Sequence, residues 1–407
     1  MATTTATRIS VFRSSDFLRY YFGQTLSYIG DGMRIIAIPL LVFQLTGSAQ
    51  SLGLTYALEL LPFALVSLVA GSLADRIDRR KTMIVCNAIR FGIMVSFCAA
   101  YALHALSLTL LYTGVSLLAA CAAIFVGSEA PSIPYLLGKD GAKAGVAVLF
   151  GTEQATQLIT PPVGAALFAL VGPLPALAAN AVTYLGAQFA IASVKTFGPD
   201  VVTGLPDPRE IAADVAAGTR FIGADPALRA VTLAQFWVNL FGIIGFAAVI
   251  PYFKREFGAS DHLIGIAFGA LALGAVAGAW VSGRVQWRFG RTQLAVYFLD
   301  GFFWSVTIWT HAVWIAMAGM AVAAACGTYA VTAAVSWRMR VTPEDLVGRV
   351  FGVARLIVII GMVPGALGGG WISDHLGTRV TMTVSMAGYF AIVALLATNP
   401  ALRADRR

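Results

Sequence analysis

The sequence predicts an all-α integral membrane protein of twelve spans in two six-helix halves. Three observations carry that prediction. Of 407 residues, 58% are hydrophobic and only 12% are charged, where a soluble chain carries about 25% charged residues. So much apolar surface requires an apolar solvent. Runs of about 20 apolar residues, the length a helix needs to cross a bilayer, recur twelve times. One long polar stretch, beginning at Lys195, separates six of them from the other six.

The first span, residues 17–46, follows a Ser/Thr-rich start carrying Arg8 and Arg13 and is too long for a cleaved signal segment. TGSAQS turns the chain into the second, 49–74, and the basic GSLADRIDRRK into the third, 82–104. HALS leads to the fourth, 106–137, whose far end holds Pro131 and Pro134, residues that bend or end a helix. The fifth and sixth, 144–171 and 173–194, are joined by GPLP. The second half repeats the plan at 228–253, 262–284, 291–311, 313–337, 346–373 and 378–399. Connections of a few residues force neighbouring helices to run antiparallel. The domains are therefore residues 1–194, a linker at 195–227, and residues 228–407 ending in a short tail.

Charge orients this array. Basic residues crowd the N-terminus, the turns after the second, fourth, sixth, eighth and tenth spans, and the C-terminus; the other side holds only Lys254, Arg255 and Arg379. The positive-inside bias places both termini and the linker in the cytoplasm of a multi-pass cell-membrane protein. His104, His262, His311 and His375 all fall at the opposite, outer face and read as interfacial residues. Cys86, Cys98, Cys121 and Cys326 lie inside apolar segments and read as small packing residues.

An internal repeat is visible. GSLADRIDRRK after the second span, GRVQWRFGR after the eighth and GGWISDHLGTR after the eleventh align on Gly71, Gly283 and Gly370. Asp75, Trp287 and Asp374 then share one position. After the fifth span, Gly164 keeps the glycine and has lost the charge. Four three-helix units, two facing each way, form a transporter architecture. In the turn itself, glycine admits a close neighbour. Asp75 can meet the positive end of another helix or an arginine. Arg76, Arg79 and Arg80 hold the turn at an anionic surface. Gly71, Asp75, Arg76, Arg79 and Arg80 together read as a gating latch.

GSLADRIDRR resembles the loop signature of the major facilitator superfamily, G-x-x-x-D-R-x-G-R-R, with Asp78 where the family has glycine. FLRYYFGQTLSYIGDGM, LLPFALVSLVAG and RVTPEDLVGRVFG are similar to the branch containing macrolide-efflux proteins and an enterobactin exporter. The helix-5 signature of drug antiporters survives only as TQLITPPVGAAL. The resemblance covers essentially the whole chain. It implies export of an organic molecule, commonly in exchange for protons, with the first, fourth, seventh and tenth helices lining a central cavity.

Five acids lie within spans: Asp31, Glu59, Glu129, Glu153 and Asp300. A mid-helix charge costs about 2.5–3.5 kcal/mol on insertion scales, so such residues belong in the bundle interior or a watery cavity. Asp31 and Arg34 share a helix face. Either Asp31 carries the coupling proton, or the two form an internal ion pair; if Arg34 instead reaches Glu59, Asp31 is released to titrate. Asp31, Arg34, Glu59 and Glu129 are the proton-coupling candidates. Glu153, read as a helix-start acid, and Asp300, on a peripheral helix, read as structural. Arg90 and Arg355 either snorkel or pair with acids near the gate.

Gln24, Tyr28, Gln235, Trp237, Asn239, Thr328, Tyr329 and Thr332 are the candidate substrate-cavity residues. Many aromatics with few convergent charges suit a bulky amphipathic ligand. No cluster has metal-ligand or catalytic spacing, and no P-loop is present, so the expectation is a monomeric transporter. It is not an enzyme, and it has no metal, cofactor or nucleic-acid partner. Its partners are protons, lipid and a small-molecule substrate. Uptake of a metabolite is the alternative direction, and a membrane sensor is a third reading.

Overall fold

The computed structural model describes residues 11–74, 76–195, 197, 208–284, 289–343 and 346–398. All regular structure among them is helical. Among the described residues the first half contains α1 (Ser15–Thr46), α2 (Ala49–Ala74), α3 (Arg79–Ala102), α4 (Leu108–Glu129), α5 (Ile133–Val171) and α6 (Pro173–Ala192). After α7 (Pro208–Ala224) come α8 (Pro226–Phe257), α9 (Asp261–Arg284), α10 (Phe289–Trp309), α11 (Val313–Val341), α12 (Val347–His375) and α13 (Thr378–Ala397). Among the described residues, eleven helices are long and apolar enough to cross a membrane by length and composition. The remaining expected span is α10, whose apolar run is interrupted by Arg291, Gln293 and Asp300.

Local chemistry explains the boundaries. Asp78, the departure from the family loop, caps α3 by accepting from the Lys81 backbone N–H. Burial pushes the Asp78 carboxyl up, yet the Lys81 backbone and ammonium outweigh it and hold it below the ordinary carboxylate value. Asp225 caps α8 through the backbone N–H groups of Ala227 and Leu228, with Pro226 in the first turn. The fourth span ends at Glu129, well short of residue 137. A 3₁₀ turn, Ala130–Ser132, takes over where Pro131 and Pro134 interrupt the α ladder. The helix that follows breaks at Gly138, whose φ of 72° suits glycine. Glu153 consequently lies well inside α5 rather than at its start.

The chain divides into two compact units. The first holds Met1–Ile38 and Pro62–Ile211, the second Pro39–Leu61 and Ala212–Arg407. In the first unit α3 packs on α4 and α6. In the second, α10 packs on α11 and α13, and α8 on α12 and α13. The pairs α3–α4 and α3–α6 recur as α10–α11 and α10–α13, so the repeat seen in the turns extends to packing. All four cysteines are free, with Cys86 and Cys121 buried.

Candidate transport site

In the first unit, α1 supplies Tyr28, Asp31 and Arg34. The Asp31 carboxylate meets three groups. The Tyr184 hydroxyl donates to Oδ1 at 2.7 Å, Arg34 Nη2 stands 3.8 Å from Oδ1, and Arg90 Nη1 stands 3.5 Å from Oδ2. Arg90, on α3, is 1% exposed. It also donates to Ser27 Oγ at 3.1 Å and lies over the rings of Phe125 and Tyr184. Arg90 thus pairs with Asp31, an acid at the middle of the first span and not one near the gating turn. A guanidinium this deep is tolerable only with such a partner.

Close packing fixes the position of α1. A Cβ on Gly32 would clash with Thr160 Oγ1 of α5, and one on Gly30 with Thr183 Oγ1 of α6. Asn180 donates to the Gly30 carbonyl. The glycines flanking Asp31 therefore serve helix contact and leave no room for a ligand.

Glu129, the last residue of α4, is 8% exposed. Its Oε1 accepts from the Tyr28 hydroxyl, and its backbone carbonyl accepts from Tyr20 at 3.2 Å. Among the described residues no lysine or arginine pairs with it. In the same unit, α1 and α5 border a cleft of about 610 Å³ lined by Phe12, Tyr21, Ile29, Thr152, Thr156, Ile159 and Thr160 among others. The hydroxyls of Tyr21 and Thr152 bond across it at 2.8 Å. Sequence reasoning did not select these threonines, although Thr152, Thr156 and Thr160 repeat at the four-residue interval that places side chains on one helix face. Gln24 is fully buried and does not line the cleft.

In the second unit, Gln235 is buried and accepts from Arg338 of α11. Asn239 donates to the Gln235 carbonyl at 2.8 Å. Trp237 is exposed and sits edge-on to Phe236. Thr332 bonds back to Thr328, and Tyr329 lines a smaller pocket of about 260 Å³ with Gln293, Ser336 and Arg340. Asp300 is 3% exposed. Arg90 and Asp300 each stand eleven residues after the first residue of equivalent helices, 79 to 90 and 289 to 300. One repeat thus buries a cation and the other an acid at the same register. Glu59 is half-buried in the second unit, and Arg355 is exposed on α12.

Of the expected gating turn, Asp75 lies outside the described residues, as does the side-chain environment of Gly71. Arg76 pairs with Glu210 of α7 at 2.7 Å. Arg79 donates to the Pro131 carbonyl at 2.9 Å, and Arg80 to that of Ala192. The aligned aspartate after α12 is described in full. Asp374 accepts from Ser48 Oγ at 2.6 Å and from the backbone N–H groups of Ala49 and Gln50 at 3.0 and 2.8 Å. It therefore caps the N-terminus of α2.

This repeated helical architecture, with ionisable side chains buried in spans, is that of a many-span membrane protein of the major facilitator fold. The model of the transmembrane secretion effector family matches residues 6–406, and the chain belongs to that family. It is 26% identical over 270 residues to the multidrug efflux pump Tap of Mycobacterium tuberculosis, covering 63% of this chain and 62% of the relative's length. It is 24% identical over 346 residues to the enterobactin exporter EntS of Escherichia coli O1:K1, covering 83% of this chain and 80% of that one. Among solved structures, a bacterial homologue of the lysosomal transporter Spinster, inward-facing and occupied, aligns with a TM-score of 0.72 at 16% identity, over 95% of this chain and 97% of that one. A bacterial homologue of ferroportin aligns at 0.71 and 14% identity, over 94% and 98%. These two likenesses concern the fold alone.

Proposed function

We propose that the protein exports a bulky amphipathic organic molecule across the cell membrane by alternating access, in exchange for protons. The observation that supports this reading is the contrast between two buried acids. Asp31 is engaged by Arg34, Arg90 and Tyr184, so protonating it dismantles an ion-pair network. Glu129 has a phenol as its partner and can gain or lose a proton while keeping that hydrogen bond. Glu129 is therefore the proton carrier in this reading, and Asp31 holds α1 on α3 and α6. The cleft between α1 and α5 supports the substrate class: its volume falls in the range of small-molecule sites, about 300–1,000 Å³, and its wall is apolar with a few hydroxyls. The export direction draws on the named activities of the two relatives above.

The test uses cells or proteoliposomes loaded with a fluorescent amphipathic dye. Expected is outward flux that stops when the proton gradient is collapsed. Flux that persists after collapse overturns proton exchange, and gradient-dependent accumulation overturns export.

A further inference from the structure

The end of the second unit opposite the linker helix is closed by a ring of ion pairs built from three consecutive residues of α8. Lys254 pairs with Asp261 of α9 at 2.6 Å, Arg255 with Asp374 of α12 at 2.8 Å, and Glu256 with Arg379 of α13 at 2.8 Å. Lys254, Arg255 and Arg379 are the three basic residues the sequence assigns to the sparsely charged side, and all three are recruited. Arg255 does more than pair. Its guanidinium also donates to the Ser373 carbonyl at 3.1 Å and to the Gly47 carbonyl, in the turn between α1 and α2, at 3.0 Å. Gln44 near the end of α1 donates to Asp261 at 3.1 Å. The α1–α2 tip is thus held by polar groups of α8, α9 and α12.

Two further observations give this clamp a function. First, the tip residues, Pro39–Leu61, belong to the second unit while the rest of α1 and α2 belongs to the first. Both changes of unit fall at a proline inside a helix, Pro39 and Pro62. Proline removes one backbone hydrogen bond and loosens the ladder there, so a bend at these positions costs least. Second, the tip meets α12 without side chains between them. A Cβ on Gly370 would stand 2.5 Å from the Ala49 carbonyl oxygen, and one on Gly53 would clash with that of Ala366. Gly370 is the repeat's invariant position, and one turn later Asp374 reaches the α2 N-terminus. A carboxylate there satisfies otherwise open N–H groups and meets the positive end of the helix dipole.

We propose that Asp374 and Arg255 are gating residues of transport: they latch the α1–α2 tip, hinged at Pro39 and Pro62, and their release opens this end of the molecule. Asp374 is bound on one side by the tip and on the other by Arg255, and Arg255 in turn holds the tip at Gly47. Losing Asp374 removes the α2 cap and one anchor of Arg255, and losing Arg255 removes the Gly47 contact and one anchor of Asp374. The proposal rests on the transporter fold and not on the cargo or the coupling ion.

The experiment reads the gate directly, without substrate. Thr55, in the tip, is 1% exposed and nearly isosteric with cysteine. Thr55→Cys in proteoliposomes is treated with a membrane-impermeant maleimide, with the parent as blank for the four native thiols. Labelling is expected to be about tenfold faster when Asp374→Asn or Arg255→Gln is added, the shift that loss of one charge-assisted contact produces. Arg255→Lys, which keeps the charge but not the fork, should fall between. Equal labelling in the latched and unlatched backgrounds overturns the proposal. Should Asp374→Asn fail to fold, Arg255→Gln carries the same comparison. Cross-linking Ser48→Cys to Asp374→Cys should arrest dye efflux reversibly. Full efflux by the cross-linked protein sinks the gate, whereas faster labelling with no dye efflux sinks only the assigned function.

Discussion

At the scale of single residues, the two buried acids of the first unit make opposite demands. Removing the Asp31 charge leaves Arg90 buried against Phe125 and Tyr184 without a counter-ion. Breaking one partner of a buried pair costs about 3–5 kcal/mol, so Asp31→Asn should lower thermal stability sharply. Arg90→Met combined with Asp31→Asn should recover much of that loss. A thermal-unfolding double-mutant cycle checks this, and additive effects of the two changes argue against a functional pair. Glu129→Gln, by contrast, retains a hydrogen-bond acceptor for Tyr28 and leaves no cation stranded. It should fold normally, and its dye efflux should become indifferent to the proton gradient. Efflux of Glu129→Gln that still follows the gradient would move the coupling proton elsewhere.

At the scale of elements, α1 depends on glycine at its contact with α5. Gly32→Ala forces a methyl into Thr160 Oγ1, and overpacking of this kind costs about 1–3 kcal/mol. Thr160→Ala removes the clashing oxygen and should restore part of the stability, which unfolding midpoints of the single and double variants measure. This scale also shows what the sequence could and could not disclose. Apolar length alone located the spans, because a bilayer imposes a minimum run on each. The shortening of α4 was foreshadowed by Pro131 and Pro134, but the 3₁₀ turn around Pro131 depends on backbone geometry that composition does not encode. Helix α7 lay hidden in the linker because it is short and polar, with none of the apolar length that marks a span. The Asp31–Arg34 pair was legible from its three-residue spacing. Arg90 and Tyr184 were not, since their approach to Asp31 is set by the packing of α1 against α3 and α6.

At the scale of the whole molecule, the distribution of charge carries the orientation. The side bearing the termini and the linker is rich in basic residues, several of them paired only at exposed positions. Arg349 with Asp214 is an example, and such pairs contribute about 0–1 kcal/mol each. Their bases remain available to anionic lipid at the membrane surface. On the opposite side the three bases are each neutralised by Asp261, Asp374 or Glu256. The asymmetry in free positive charge is therefore larger than the residue count implies, and it predicts termini in the cytoplasm. A reporter enzyme that is active only outside the cytoplasm tests this. Inserted at Gly258, in the left-handed turn that ends α8, it should be active; fused after Arg407 it should be silent. The reverse pattern would invert the molecule, place the Arg255–Asp374 latch at the cytoplasmic face, and turn the proposed exporter's outer gate into its inner one.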